Sequence, residues 1–249
     1  VAITGSNGKT TVKEMTGAIL RAALPGPADR DPVLVTWGNL NNDVGVPITL
    51  LWLRDFHRAA VIEMGASQQG SIAYLASLAA PTVGVVTNAG PAHLEGFGGT
   101  VRDVARAKGE LFAALGPAGL AVINRDDPFH DYWRGVRGEG PVRSFGLAGA
   151  ADVRALEVRE IPGGFAFRLV TPAGDVPVQL PMAGRHNVVK ALAAAAVAQA
   201  AGADLAAIAA GLGAMANVGG RMRRVPGLHG STIYDDAYNA NPGSVGAAI

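Results

Sequence analysis

The chain has 249 residues, 49% of them hydrophobic and 16% charged, with a formal net charge of +1 and no cysteine. That apolar fraction is enough for a sizeable core and excludes a disordered chain, while the scattered charges supply no concentrated basic face for nucleic acid. The missing cysteines remove disulfides, thiolate metal sites and a cysteine nucleophile, and fit a reducing compartment, with the cytoplasm as the default.

The chain opens at Val1, without a methionine and inside a run that reads as a strand, so a further N-terminal part is expected to precede it. Short apolar runs at residues 33–36, 59–63, 82–88 and 120–124 alternate with segments of helical period at 9–23, 69–78 and 100–115. This alternation predicts an α/β fold: a mostly parallel sheet flanked by helices on both faces. From about Asp152 to Gln179 the rhythm breaks. Residues 165–170 lie between Gly163-Gly164 and Pro172-Ala173-Gly174, which predicts a small antiparallel β segment. A helix resumes near Gly184. Its alanine-rich continuation, 191–203, is shorter than a bilayer span and is followed by Asp204, so it reads as a packed helix without stable membrane insertion. Beyond Gly219-Gly220 a last strand is predicted at 231–234, and the end at Ile249 reads as a truncation.

Ligands of open parallel sheets gather at the carboxyl ends of the strands. Here those ends are polar: the loop at 5–10, Glu63, Asn88 with His93, Asn124, and Asp235-Asp236. Gly, Asn and Asp are also ordinary turn residues, so the argument rests on their coincidence along one edge. The first of them, Gly5-Ser6-Asn7-Gly8-Lys9-Thr10-Thr11, joins a strand to a helix. Glycines let the backbone aim N–H groups at an anion, the helix N-terminus adds partial positive charge, Lys9 adds a full one, and Thr10 can ligate magnesium. Ile3 occupies the place of the first glycine of the common phosphate loop, leaving a shorter form.

Two residues stand where bulk chemistry disfavours them. Lys108 falls inside the apolar stripe Val101, Val104, Leu111, Leu115, either snorkelling to water or buried with a lowered pKa. Only Lys9, Lys13, Lys108 and Lys190 are lysines in a chain otherwise using arginine. Glu63 ends the apolar run 59–63, where a cation, an arginine or a backbone donor would each offset its burial. His93 follows a strand on a turn and is by itself an ordinary loop histidine; beside a phosphate loop, a glutamate and a lysine it points to a magnesium and phosphate site.

At these residues the chain resembles the Mur ligase family, whose members activate a carboxylate with ATP and condense it with an amine. The loop at 4–11, Glu63, the turn from Asn88 to His93, Lys108 within Ala107-Lys108-Gly109-Glu110-Leu111-Phe112, and Gly184-Arg185-His186-Asn187 carry the likeness. Residues 38–47, Glu63-Met64-Gly65-Ala66-Ser67 and the stretch 235–243 resemble those members that add D-alanyl-D-alanine to UDP-N-acetylmuramoyl-tripeptide; Ala237 departs from the serine more often found there.

The resemblance implies a central ATP-binding domain at 1–218, the opening of a C-terminal domain at 219–249, and an N-terminal UDP-sugar-binding domain outside the chain. It implies that Gly5, Ser6, Asn7, Gly8, Lys9, Thr10 and Thr11 cradle the ATP phosphates, that Thr10, Glu63, His93 and Lys108 serve two magnesium ions, and that Lys108 is carbamylated for this purpose. By the same resemblance Asn187 faces adenine, Asp236 the ribose and Arg221 the terminal phosphate, while Asn41, Asn42 and Ser67 lie toward the UDP-substrate. A monomeric enzyme is expected. The rival expectations are another Mur or folylpolyglutamate-type ligase, and a nucleotide switch; the base-reading Asn-Lys-x-Asp of guanine switches is missing from the sequence.

Overall fold

The computed structural model describes residues 1–26, 29–92, 94–215, 223–235, 237 and 245–246. Nine strands form one sheet in the order β2-β3-β1-β4-β5-β6-β7-β8-β9. The strands β1 (Ala2–Thr4), β2 (Val33–Val35), β3 (Ala59–Glu63), β4 (Val83–Val86), β5 (Leu120–Asn124), β6 (Val142–Gly146) and β7 (Val153–Ile161) run parallel. The far edge is closed by antiparallel β8 (Gly164–Thr171) and β9 (Gly174–Leu180). A separate antiparallel pair joins β10 (Arg223–Pro226) to β11 (Thr232–Asp235).

Alternate residues of the parallel strands face opposite layers. Ile3, Val85 and Val122 enter one core, whereas Ala2, Val86, Ala121 and Ile123 enter others. The first layer holds α1 (Lys9–Ala23), α7 (His186–Ala200) and α8 (Leu205–Gly213); the second holds α2 (Gly45–Leu51), α3 (Ser71–Ala79), α4 (Leu94–Phe97), α5 (Val101–Ala113) and α6 (His130–Arg137). In α7 the side chains from Ala191 to Ala198 are all fully buried, and their small size lets this helix lie close to both sheet and α1. The approach of α8 to α1 is closer still: a Cβ on Gly211 would stand 2.4 Å from Ile19 Cα.

The antiparallel β segment that the sequence suggests is present and is joined to the far edge of the parallel sheet. Strand β7 pairs with β6 only through Phe145↔Val153 and Gly146↔Arg154, so it begins where β6 stops and carries the sheet past its parallel part. Asp152 fixes this junction by accepting hydrogen bonds from both the N–H and the Oγ of Ser144, each at 2.7 Å. Among the described residues no helix is long and apolar enough to cross a membrane.

Candidate active site

From β1 the chain runs outward to β2, returns to β3 beside β1, and then crosses to β4 on the opposite side. This reversal leaves a crevice at the carboxyl ends of β1, β3 and β4. The loop from Gly5 to Gly8 leaves β1 into that crevice. Gly5 has φ 145° and Gly8 has φ 84°. A Cβ on Gly5 would lie 1.9 Å from Thr87 Oγ1, so no other residue fits without moving the wall behind it.

That wall is the end of β4. Ser6 N–H donates to the Asn88 carbonyl at 3.0 Å, and Asn7 N–H donates to Asn88 Oδ1 at 3.0 Å. Asn88 Nδ2 and Thr87 Oγ1 in turn donate to the Asn7 carbonyl at 3.0 and 2.6 Å, and Gly90 N–H donates to Ser6 Oγ at 2.9 Å. The loop is therefore fixed in shape by side chains of the neighbouring strand end. Gly8 is the left-handed cap of α1, and no side-chain cap hydrogen bond forms there, so the first-turn amides face outward with the positive end of the helix dipole. Lys9 folds back over the loop, its Nζ donating to the carbonyls of Gly5 at 2.8 Å and Ser6 at 3.2 Å. Together these groups make an anion cradle.

Glu63, at the end of β3, is 2% exposed. Its N–H donates to Thr36 Oγ1 at 2.9 Å and its Oε1 accepts from Asn41 Nδ2 at 2.8 Å. Its Oε2 is buried with no hydrogen-bond partner among the described residues. Of the three ways to offset its burial, neither an arginine nor a backbone donor meets this oxygen. A hard cation fits it.

Lys108 does not snorkel. It is 3% exposed, and its Nζ lies 5.2 Å from the centre of the Phe97 ring. Burial, reinforced by the positive charge of Lys9 and opposed by Glu110, brings its pKa down from 10.5 to about 7. A large fraction of this amine is thus neutral and nucleophilic near neutral pH. Glu110 turns away from it to receive the N–H groups of Gly70 and Ala73 at the start of α3.

A cleft of about 630 Å³ brings together Ser6, Lys9, Asn41, Asn42, Ser67 and Lys108. Asn42 also has a structural duty, since its Oδ1 accepts from Gly45 N–H at 2.8 Å and so caps α2. Thr10 and Thr11 stand in the first turn of α1. Asn187 is not among the cleft residues. It is buried at the start of α7, where Nδ2 donates to the Ala183 carbonyl at 2.6 Å. His93, Arg221 and Asp236 lie outside the described residues.

Sequence reasoning missed three supports. Lys13 is fully buried, with its Nζ donating to the Thr36 carbonyl at 2.7 Å and to the Gly38 carbonyl at 3.4 Å, and paired with Glu14 at 2.8 Å. It ties the helix after the phosphate loop to the segment that carries Asn41. Asn41 itself orients Glu63. Asp127, its carboxyl pushed up by burial, accepts from Ala89 N–H at 2.9 Å and steadies the segment after β4. Lys13 was detectable by the same signal as Lys108, a lysine adjoining an apolar helix stripe.

The family model described as the Mur ligase middle domain matches residues 3–198. The chain is 46% identical over its whole length to the UDP-N-acetylmuramoyl-tripeptide--D-alanyl-D-alanine ligase of Escherichia coli K12, of which it covers 54%. It superposes on a crystal structure of MurF from Acinetobacter baumannii with a TM-score of 0.91 at 42% identity, covering 99% of this chain and 52% of that one. With MurF ligase from Thermotoga maritima, solved in complex with ADP, the TM-score is 0.79 at 27% identity, covering 99% of this chain and 55% of that one. The chain spans about half the length of the relatives it matches.

Proposed function

This chain belongs to the Mur ligase family, and on that premise we propose that it is the ATP-binding core of an enzyme that joins D-alanyl-D-alanine to UDP-N-acetylmuramoyl-tripeptide in peptidoglycan precursor synthesis. The observation that carries the reading is the convergence of a rigid Gly-Lys loop, an uncompensated buried glutamate oxygen and a buried amine of lowered pKa at one switch point. In this reading residues 1–218 act as the central domain and 219–249 as the opening of the next; the family match over residues 3–198 supports the first part of that division. The reaction belongs in the cytoplasm, where ATP is made.

In this reading the loop from Gly5 to Thr11, through the amides of residues 8–11 and the Lys9 ammonium, holds the phosphates of ATP, Asn187 faces the base, and Asp236 and Arg221 serve the ribose and the terminal phosphate. Asn41, Asn42 and Ser67 lie toward the UDP-linked substrate. Magnesium fits the donors Thr10 Oγ1 and Glu63 Oε2, His93 is a further ligand by the resemblance alone, and the metal when bound would neutralise charge on the transferring phosphoryl group. The neutral amine of Lys108 can add carbon dioxide with loss of a proton, which replaces a cation by a carboxylate and gives a second magnesium an oxygen ligand. A tripeptide carboxylate oxygen attacks the terminal phosphorus of ATP and ADP leaves. The amine of D-alanyl-D-alanine then attacks the acyl phosphate carbonyl, the amide forms, and phosphate departs carrying that carboxylate oxygen. Lys9 is placed to stabilise the negative charge that builds on the phosphoryl group.

The test is an oxygen label. Tripeptide labelled with oxygen-18 in its terminal carboxylate should yield phosphate carrying one labelled oxygen. Unlabelled phosphate, with amide formed, would rule out phosphoryl activation of the carboxylate.

A further inference from the structure

Among the described residues that line the cleft, the charged ones are Lys9, Lys108 and Asp43. The two lysines mark one end, since Lys108 is close enough to Lys9 for that charge to lower its pKa. At this end the proposed reaction brings the phosphates and the reacting tripeptide carboxylate together. Asp43 has no part in that chemistry.

An aspartate just ahead of a helix usually caps it. Asp43 precedes α2 but leaves the capping to its neighbour: Asn42 Oδ1 accepts from Val44 N–H at 3.3 Å and from Gly45 N–H at 2.8 Å. The exposed carboxylate of Asp43 forms no hydrogen bond or ion pair among the described residues. Its backbone is nevertheless fixed from both sides. The Asn41 carbonyl accepts from Gly65 N–H at 2.7 Å, Asn41 Nδ2 holds Glu63, and a Cβ on Gly45 would stand 2.4 Å from the Leu40 carbonyl carbon. A rigid segment thus presents an acid without a partner to a cleft whose other charges are cationic.

We propose that Asp43 is a specificity-determining residue for the acceptor. With the reacting carboxylate at the lysine end, Asp43 pairs with a cationic group on the side chain of the tripeptide's last residue. Charge matching carries the argument: a residue that bears both a carboxylate and a side-chain ammonium complements a cleft with a cationic end and an acid on its wall. The inference rests on the ligase reading above.

Asp43→Asn keeps the size of the side chain and removes its charge at an exposed position. The cationic acceptor is whichever of the UDP-linked lysine and diaminopimelate tripeptides the original full-length protein ligates; the neutral one is its counterpart without the side-chain amine, ending in norleucine or 2-aminopimelate. With saturating ATP and magnesium, the Asn variant should raise KM for the cationic tripeptide about fivefold, the upper end of what an ion pair open to water contributes. Its KM for the neutral tripeptide, its kcat and its KM for D-alanyl-D-alanine should stay as in the original. An unchanged KM for the cationic tripeptide, an equal rise with both tripeptides, or a rise for D-alanyl-D-alanine instead overturns the proposal. An original protein that ligates neither cationic tripeptide fails at the earlier step, and overturns the ligase reading itself.

Discussion

Replacing Lys108 by Met keeps the length of the stem and removes the amine. In the folded chain the pKa of Lys108 is lowered to about 7 from 10.5, mainly by burial. At 1.36 kcal/mol per pH unit this gap corresponds to a cost on the order of 5 kcal/mol for holding the protonated lysine in place. The direction follows from proton binding in the two states. Below about pH 7 the lysine is charged both folded and unfolded, and the folded state carries the whole cost. Between about pH 7 and 10.5 the unfolded chain holds a proton that the folded chain lacks, so stability rises with pH. Lys108→Met has no such dependence. Urea unfolding of both proteins in carbon dioxide-free buffer at about pH 6, 7.5 and 9 should find the Met variant more stable, by several kcal/mol at pH 6 and progressively less toward pH 9. Other groups titrate alike in both proteins and cancel in the difference. A difference that does not vary with pH, or a Met variant less stable at pH 6, would refute the burial argument.

Glu63→Gln removes a carboxylate whose Oε2 has no partner and leaves Oε1 able to accept from Asn41. The variant should unfold at equal or higher urea concentration, gaining about 1 kcal/mol, while magnesium-dependent ATP turnover collapses; an enzyme that stays active would remove Glu63 from the metal site. Gly5→Ala forces a side chain at φ 145° into Thr87 Oγ1. It should cost about 2 kcal/mol or more and abolish nucleotide binding by calorimetry. Lys13→Met strands the carbonyls of Thr36 and Gly38, and should cost about 2–4 kcal/mol in chemical denaturation, with no rescue by Arg because the fully buried site has no room for a guanidinium.

Periodicity made the long helices and the buried strands legible. The predicted bounds of α1, β3 and β5 coincide with the observed ones, because each of those segments buries an unbroken apolar stripe or run. The short elements were not legible. Helix α2 has seven residues including Pro47, and α6 has eight rich in charge; tertiary contacts hold both, with Asn42 capping the first and Trp133 of the second donating its indole N–H to the Ala105 carbonyl. In the site, Lys9, Glu63 and Lys108 stood out because charge at the end of an apolar run or inside a stripe is costly anywhere. Thr87 did not, and Asn88 and Asn41 were named without the contacts that make them supports, since those partners lie 22 to 81 positions away in sequence. Such pairings are set by strand order, which a linear pattern does not contain.

The most direct test of the account is phosphate release by the full-length protein with ATP and magnesium, given UDP-N-acetylmuramoyl-tripeptide and D-alanyl-D-alanine separately and together. Release that requires both, with a pentapeptide product by mass, is the predicted result. Release indifferent to both would contradict the ligase assignment and favour a nucleotide switch.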